Sequence, residues 1–169
     1  MNTWSIETPR LRLRLWQHGD GTDAFEIWGD PQVMRHIGKP VADVAAAERS
    51  FNLGLQVFHK HGVCLWPVIH KASDELIGCC GFHRCDDGSG LELGYHFKRH
   101  VWGQGFAKEA AQACMDYARE VLKPPRVVAY AHPDNTASWA ILERLGFTFV
   151  GMDQGERAYQ YQPVSPNDA

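Results

Sequence analysis

The chain of 169 residues is predicted to fold as one α/β (α+β) domain over residues 1–169, with a single mixed, mostly antiparallel sheet flanked by helices. Short β-rich runs alternate with helical periodicities along the whole chain. Polar turns too short for a crossover join most neighbouring runs, which predicts antiparallel hairpins. One helix separates two runs in the second half, which predicts a single βαβ-like crossover.

The first half contains three predicted strands and two helices. Arginine and leucine alternate over residues 10–15, which predicts a strand with one apolar face and arginines facing solvent or a partner. Helices are predicted at 22–29 and 42–61. Strands at 64–69 and 76–82 form a hairpin around a polar turn. Pro67 lacks an amide donor, so its strand lies at an edge or carries a bulge there.

The second half contains the crossover. A strand at 91–98 precedes a helix at 105–121, whose small residues predict close packing on the sheet, and a buried strand follows at 126–131. Asn135 is a good N-cap for a helix that ends at Arg144, and Gly146 suits a left-handed stop. Strands at 148–152 and 157–162 complete the sheet. The polar tail at 163–169 is expected to be frayed.

Composition excludes several classes of protein. The net charge of −3 argues against a nucleic-acid-binding protein, which usually carries a basic excess. No apolar run approaches the length of a membrane span. The five cysteines are odd in number and lack the spacing of a disulfide framework, which is typical of reduced thiols in a cytoplasmic protein. We expect a cytoplasmic location.

The most informative segment is the junction between the strand at 91–98 and the following helix. Gly103 and Gly105 let the backbone approach a ligand closely, because neither has a Cβ atom. The helix that follows offers unpaired N–H groups and the positive end of its dipole. The junction therefore predicts an anion site, most naturally for a pyrophosphate. The spacing is neither that of a Walker A loop nor that of a dinucleotide fingerprint.

The order and spacing of several motifs resemble the GNAT superfamily of acyl-CoA-dependent N-acyltransferases, and in particular its RimJ/RimL-type branch of ribosomal-protein N-terminal acetyltransferases. The resemblance covers nearly the whole chain. It is carried by the segments TPRLRLR (8–14), DPQVM (30–34), LIG (76–78), ELGY (92–95), WGQGFA (102–107), NTAS (135–138) and LGF (145–147).

The resemblance implies acetyl-CoA as co-substrate. The backbone amides from Gly103 to Lys108 would hold the pyrophosphate, and the strand around Tyr95 to Phe97 would pair with the pantetheine arm. Asn135 would bond the pantetheine amide region as well as cap its helix. The implied cofactor-binding residues are Tyr95, His96, Phe97, Trp102, Gly103, Gln104, Gly105, Phe106, Ala107, Lys108 and Asn135.

Two residues are candidates for proton transfer. Glu92 is the first candidate for the general base, because it lies in the strand that would flank the thioester and alternates with apolar neighbours. Glu156, His83 or a water chain are alternatives. The tyrosine that many superfamily members use to protonate the departing thiolate is replaced by Leu142, and Ser138 is the candidate that would substitute for it.

Further residues are candidates for substrate or metal binding. Trp28, Met34 and His36 lie near early loops that shape the acceptor site in the family, and would favour a partly apolar substrate. The cluster of Cys79, Cys80, His83 and Cys85 lacks the spacing of a zinc site, so we expect no metal. Cys114 falls on the packing face of its helix and is expected in the core.

The predicted function is transfer of the acetyl group from acetyl-CoA to a primary amine, by direct attack in a ternary complex. The acceptor is a protein or peptide N-terminus, an amino acid or a small amine. A homodimer is expected from the arginine-bearing strand and the apolar last strands. The alternative is a non-catalytic acyl-CoA-binding sensor or regulatory module on the same fold, which Leu142 keeps open.

Overall fold

The structure, a computed structural model, describes residues 4–162, so the expected fraying of 163–169 lies outside the described residues. Eight strands form one sheet in the order β1-β2-β3-β4-β5-β6-β8-β7. The strands are β1 (Ser5–Glu7), β2 (Leu11–Arg14), β3 (Leu65–His70), β4 (Glu75–Arg84), β5 (Leu91–Phe97), β6 (Val127–Ala131), β7 (Thr148–Asp153) and β8 (Glu156–Tyr161).

Five α-helices accompany the sheet in the described residues. They are α1 (Gly21–Trp28), α2 (Pro31–Met34), α3 (Val44–His61), α4 (Phe106–Tyr117) and α5 (Thr136–Arg144). A 3₁₀ turn, Arg99–Val101, precedes the glycine loop, which is the segment 102–105 that carries Gly103 and Gly105. A π-helical turn, Ala118–Leu122, extends α4. None of the helices within 4–162 is long and apolar enough to cross a bilayer.

The sheet is antiparallel except where β5 meets β6, which confirms the predicted fold class and its single crossover. β5 and β6 pair only at Leu91 with Val127 and at Glu92 with Val128. Beyond Glu92 the two strands part, although β5 stays paired with β4 as far as Phe97. The sheet is therefore open between β5 and β6, and this opening positions the site.

Apolar side chains pack on both faces of the sheet. On one face, α4 and α5 bury residues such as Ala110, Cys114 and Leu142 against the strands. On the other, α1, α2 and α3 bury Trp28 and Phe51, among others. As expected, Cys114 belongs to the core: it is fully buried and its thiol contacts that of Cys80, 3.6 Å away.

Pro67 does not lie at an edge, because β3 is paired on both sides, with β2 and with β4. The edge alternative is therefore wrong. The bulge alternative is confirmed one residue away, where the register with β4 shifts between Val68 and Ile69. Such a shift disrupts the ladder locally, which makes a residue without an N–H tolerable inside a sheet.

Two short elements escaped sequence analysis. β1 has three residues, too few to show alternation, and it forms by pairing with β2. α2 has four residues, too few to show a helical period, and it forms because the Asp30 side chain accepts a hydrogen bond from the Gln32 N–H and Pro31 follows at the first helical position.

The arginines of β2 and its preceding turn do not simply face solvent. Arg14 makes two hydrogen bonds to the Asp20 carboxylate, at 2.7 and 2.9 Å, with both side chains largely buried. Arg12 pairs with Asp74 at the surface. Arg10 reaches the glycine loop. Of the two expected surroundings, solvent or a partner, Arg10 and Arg14 have partners within the chain, which lie in loops or distant in sequence.

Candidate active site

A cavity of about 570 Å³ occupies the opening between β5 and β6. Its walls come from β5 and β6, the start of α5, the loop after α2, and the glycine loop. This volume suits a small molecule or part of a larger one. The separation of the two strands leaves backbone on the β6 side of β5 unpaired beyond Glu92, and such an edge can pair with an extended ligand.

The glycine loop presents a row of unpaired amides. Within residues 4–162, the backbone N–H groups of residues 103–108 have no hydrogen-bond partner. Gly103 and Gly105 have φ of 75° and 81°, in the left-handed region that only glycine adopts freely. Gly105 is the N-cap of the twelve-residue α4. Six orphan amides at a helix N-terminus suit an anion such as a pyrophosphate.

Arg10 anchors this loop from the far end of the chain. Its Nη1 donates to the Gln104 carbonyl oxygen at 3.0 Å, and its Nε donates to the Glu109 carboxylate at 2.6 Å. The guanidinium lies 4.3 Å from the centroid of the Phe106 ring. The bond to the Gln104 carbonyl fixes the orientation of the peptide that joins Gln104 to Gly105.

Trp102 is fixed at the start of the loop. Its indole N–H donates to the Phe97 carbonyl oxygen at 2.8 Å, although half of the residue is exposed. This bond ties the loop to the end of β5. Trp102, Gly103 and the β5 residues Tyr95, His96 and Phe97 all line the cavity. Of the predicted cofactor residues of strand and loop, these five line the cavity, whereas residues 104–108 lie outside its lining.

Alternation along β5 assigns its side chains to two faces. Leu93, Tyr95 and Phe97 pack with the α4 and α5 side. Glu92 and His96 point to the opposite face, because side chains alternate along a strand. His83, opposite Glu92 on β4, and Glu156 at the start of β8 also line the cavity.

The Glu92 carboxyl is a stronger base than an ordinary glutamate. Burial raises its pKa, and the negative charges of Glu156 and Asp86 raise it further. Desolvation lowers the pKa of His83, so this neighbour is neutral near pH 7. A carboxylate with a raised pKa in a cavity is a candidate for proton abstraction.

The start of α5 carries the second predicted group. The Asn135 side chain caps the helix by accepting from the Ser138 N–H at 3.3 Å, which confirms the predicted N-cap. The Tyr95 hydroxyl lies 3.0 Å from both the Ser138 carbonyl oxygen and the Ser138 Oγ. Leu142 lines the same cavity but is almost fully buried and has no proton to give.

Of the three residues expected near the acceptor, His36 lines the cavity, where its ring stacks on that of His132 with centroids 4.4 Å apart. Partial burial lowers the pKa of His36, as do His132 and Arg35. Trp28 and Met34 are instead buried in the core beside α1 and α2. Trp28 contacts the site indirectly, through a 3.1 Å hydrogen bond from its indole N–H to Nδ1 of His96.

Sequence reasoning missed two features of this site. It did not connect Arg10 to the glycine loop, since nothing in a linear pattern links residues 94 positions apart. It assigned His96 only through its backbone, whereas the side chain also lines the cavity. Within residues 4–162, no group of three or more His, Cys, Asp or Glu side chains is arranged to hold a metal ion.

Comparisons with known proteins agree with this geometry. Residues 10–148 match the family model described as the acetyltransferase (GNAT) domain. An uncharacterized N-acetyltransferase, p20, of Bacillus licheniformis is 33% identical over 150 residues, which is 88% of this chain and 84% of that protein. The [ribosomal protein uS5]-alanine N-acetyltransferase of Escherichia coli K12 is 28% identical over 156 residues, covering 86% and 79%.

A solved structure shares the fold. It is RimL, a ribosomal L7/L12 alpha-N-protein acetyltransferase, in complex with coenzyme A, with a TM-score of 0.83 and 18% identity over 94% of this chain and 97% of that one. The unpaired amides of the glycine loop and the unpaired edge of β5 fit a coenzyme A ligand. The chain therefore belongs to the GNAT family and is an acetyl-CoA-dependent N-acetyltransferase.

Proposed function

We propose that this enzyme acetylates a primary amine, that Glu92 is the general base, and that the amine attacks directly in a ternary complex. The observation that carries this proposal is the place of Glu92, on the cavity wall where β5 and β6 part, with a pKa raised by burial and by Glu156. Acetyl-CoA supplies the activated acyl group as a thioester.

Backbone groups that have no hydrogen-bond partner within residues 4–162 would hold the cofactor. The amides of residues 103–108 would receive the pyrophosphate, and the free edge of β5 from Tyr95 to Phe97 would pair with the pantetheine arm. A backbone N–H on that edge would polarise the thioester carbonyl, a contribution of roughly 3–4 kcal/mol where such a donor is aligned. Asn135 keeps its amide nitrogen for the pantetheine region while its oxygen caps α5.

The amine would approach on the face of β5 that carries Glu92. An α-amine has a pKa of about 7.7–8.0 and a lysine-like amine about 10.4, and only the neutral form attacks. Glu92 would take the amine's proton. Its raised pKa brings it closer to the pKa of the amine, which makes this proton transfer less unfavourable. Glu156 and His83 also line the cavity and are the alternative bases.

Ser138 is the proposed proton donor to the leaving thiol. Its Oγ lies at the start of α5 next to the Tyr95 hydroxyl, and both residues line the cavity. Because the Tyr95 O–H donates to the Ser138 carbonyl, the Ser138 O–H donates to the Tyr95 hydroxyl oxygen and would turn from it to reach the leaving sulfur. A thiol with a pKa near 8.5 also leaves readily as the anion, so this group is an aid rather than a necessity.

A peptide or protein N-terminus is the acceptor class best supported by similarity, through the E. coli relative that acts on ribosomal protein uS5. A carboxylate base also deprotonates an α-amine more easily than a lysine side chain, because the pKa of the α-amine is lower. An amino acid or a small amine is the alternative.

A cytoplasmic location and a homodimer stay predictions. Light scattering in solution tests whether the protein is a homodimer.

The test is coenzyme A release from acetyl-CoA, followed with a thiol reagent over amines, amino acids and peptides with free N-termini. We expect release that depends on the amine, and a fall of roughly 10²–10⁴-fold in kcat/KM for Glu92→Gln. Glu120→Gln, which removes the same charge outside the cavity, is the control and should change little. An unchanged rate in Glu92→Gln would exclude Glu92 as the base. Cofactor binding by calorimetry without release on any amine would instead favour a non-catalytic acyl-CoA sensor, which Leu142 keeps open.

A further inference from the structure

The His96 side chain has a fixed arrangement of hydrogen-bonding atoms. The Trp28 indole nitrogen can only donate, so its 3.1 Å contact requires that Nδ1 of His96 carry no proton and act as the acceptor. The neutral imidazole therefore carries its proton on Nε2. The Cys79 Sγ lies 3.8 Å from the same Nδ1 and does not compete for Nε2.

His96 also stays neutral. Burial lowers its pKa to about 4, and the nearby His83 contributes in the same direction. With Nδ1 occupied and the charged form disfavoured, this histidine cannot serve as a general base near pH 7. It is a donor with one proton, on Nε2.

The Nε2–H of His96 is available to a ligand in the cavity. No group within residues 4–162 makes a hydrogen bond with Nε2, and His96 lines the cavity. His96 shares a face of β5 with Glu92, four residues and about 13 Å of strand away. Between them Gly94 has no side chain, so the two polar groups border one open stretch of sheet on the face away from α4.

We propose that the Nε2–H of His96 donates a hydrogen bond to an oxygen of the acyl acceptor, and that it selects amines carrying a carbonyl or carboxylate oxygen. This inference rests on the proposed function, since it places the amine near Glu92. The face of the sheet argues for the acceptor rather than the cofactor, because the glycine loop and α4 adjoin the other face. Trp28 is a positioning residue: it sets the tautomer and does not line the cavity.

The first test compares two amines of similar size, each with its amino group on a carbon that carries a methyl group. Alaninamide carries a carbonyl oxygen and sec-butylamine does not. Each is assayed with wild type, with His96→Phe, which keeps a ring but no donor, and with His96→Gln, which restores an N–H near the Nε2 position. Because wild type and variant are compared within each amine, the different basicities of the amines cancel.

We expect His96→Phe to lower kcat/KM for alaninamide roughly 3- to 10-fold through KM, the effect of one neutral hydrogen bond. The loss for sec-butylamine should be smaller, so that the ratio of kcat/KM for alaninamide to that for sec-butylamine falls, and His96→Gln should recover part of this ratio. An equal loss for both amines, or no loss for either, would overturn the inference. Absence of turnover by wild type on every amine would overturn the proposed function as well.

The second test does not depend on activity. Nitrogen NMR of the labelled protein reports which imidazole nitrogen carries the proton. We expect one neutral His96 tautomer, protonated on Nε2, between pH 5.5 and 8, a range that follows from its lowered pKa. In Trp28→Phe the indole donor is lost, and a mixture of tautomers should appear. A proton on Nδ1 in wild type would refute the premise directly.

Discussion

At the scale of single residues, a neighbouring charge sets the strength of the proposed base. Glu92 and Glu156 come from different strands, and the charge of Glu156 makes the ionisation of Glu92 more costly. The two lie on the wall of one cavity with His83, which is uncharged near pH 7. The charge of Glu156 therefore increases the basicity of Glu92.

The variant Glu156→Gln should move the pH dependence of the reaction. Glu92 acts as a base only when ionised, so kcat/KM falls as the pH drops through its raised pKa. Without the neighbouring charge that pKa decreases, and the acidic limb of the kcat/KM profile should shift to lower pH. Asp86→Asn, which removes a smaller contribution to the same pKa, should shift it less. A limb that moves equally in Glu120→Gln would point to net charge rather than to this pair.

At the scale of elements, the glycine loop depends on a residue that precedes β2. The Arg10 side chain contacts the Gln104 carbonyl, the Glu109 carboxylate and the Phe106 ring, and its backbone N–H also donates to Glu109. Thr8 donates to the same Glu109 carboxylate at 2.6 Å. The first turn of α4 is thus bound to the beginning of the sheet.

Replacing Arg10 by methionine should weaken cofactor binding selectively. With the Gln104 carbonyl released, the amides of the loop lose part of their alignment, and the KM for acetyl-CoA should rise roughly 3- to 10-fold, as for the loss of one hydrogen bond. Since Arg10 touches no proposed catalytic group, kcat should stay near that of wild type. Arg12→Met, which breaks only the surface pair with Asp74, is the matched control. An equal effect of both variants on KM would contradict the anchoring role.

Sequence patterns predicted the helices and strands more successfully than they predicted the contacts between distant residues. The strand at 91–98, the helix after Gly105 and the Asn135 cap follow from local alternation, glycine and capping chemistry, and all are confirmed. What could not be predicted depends on the third dimension. β1 has too few residues to show a period, Pro67 was compatible with either an edge or a bulge, and the partners of Arg10 and His96 lie 94 and 68 positions away.

At the scale of the whole molecule, two buried tryptophans differ in one respect. The Trp16 indole N–H donates to the Leu65 carbonyl at 2.7 Å. The Trp66 indole N–H is buried and has no partner within residues 4–162, although its ring stacks on Trp4 at 4.5 Å between centroids. An unpaired buried donor lowers stability, whereas a paired one contributes to it.

The same substitution should therefore cost different amounts at the two positions. Both Trp16→Phe and Trp66→Phe remove ring volume, but only the first breaks a hydrogen bond, and the second removes an unpaired donor. We expect Trp16→Phe to lower the free energy of unfolding by about 1 kcal/mol more than Trp66→Phe does. Urea denaturation followed by circular dichroism measures both values. A larger loss for Trp66→Phe would mean that packing in the aromatic cluster outweighs the hydrogen bond.

The parting of β5 from β6 also bears on how cooperative the fold is. β1 to β5 form one antiparallel block and β6 to β8 another, and only two residue pairs join them within the sheet. So few pairings between the two blocks allow one block to unfold locally while the other stays folded. A molecule held between the two edges contacts both blocks at once, so its binding free energy opposes the opening of either. Ligand binding would thus make the two blocks unfold as one.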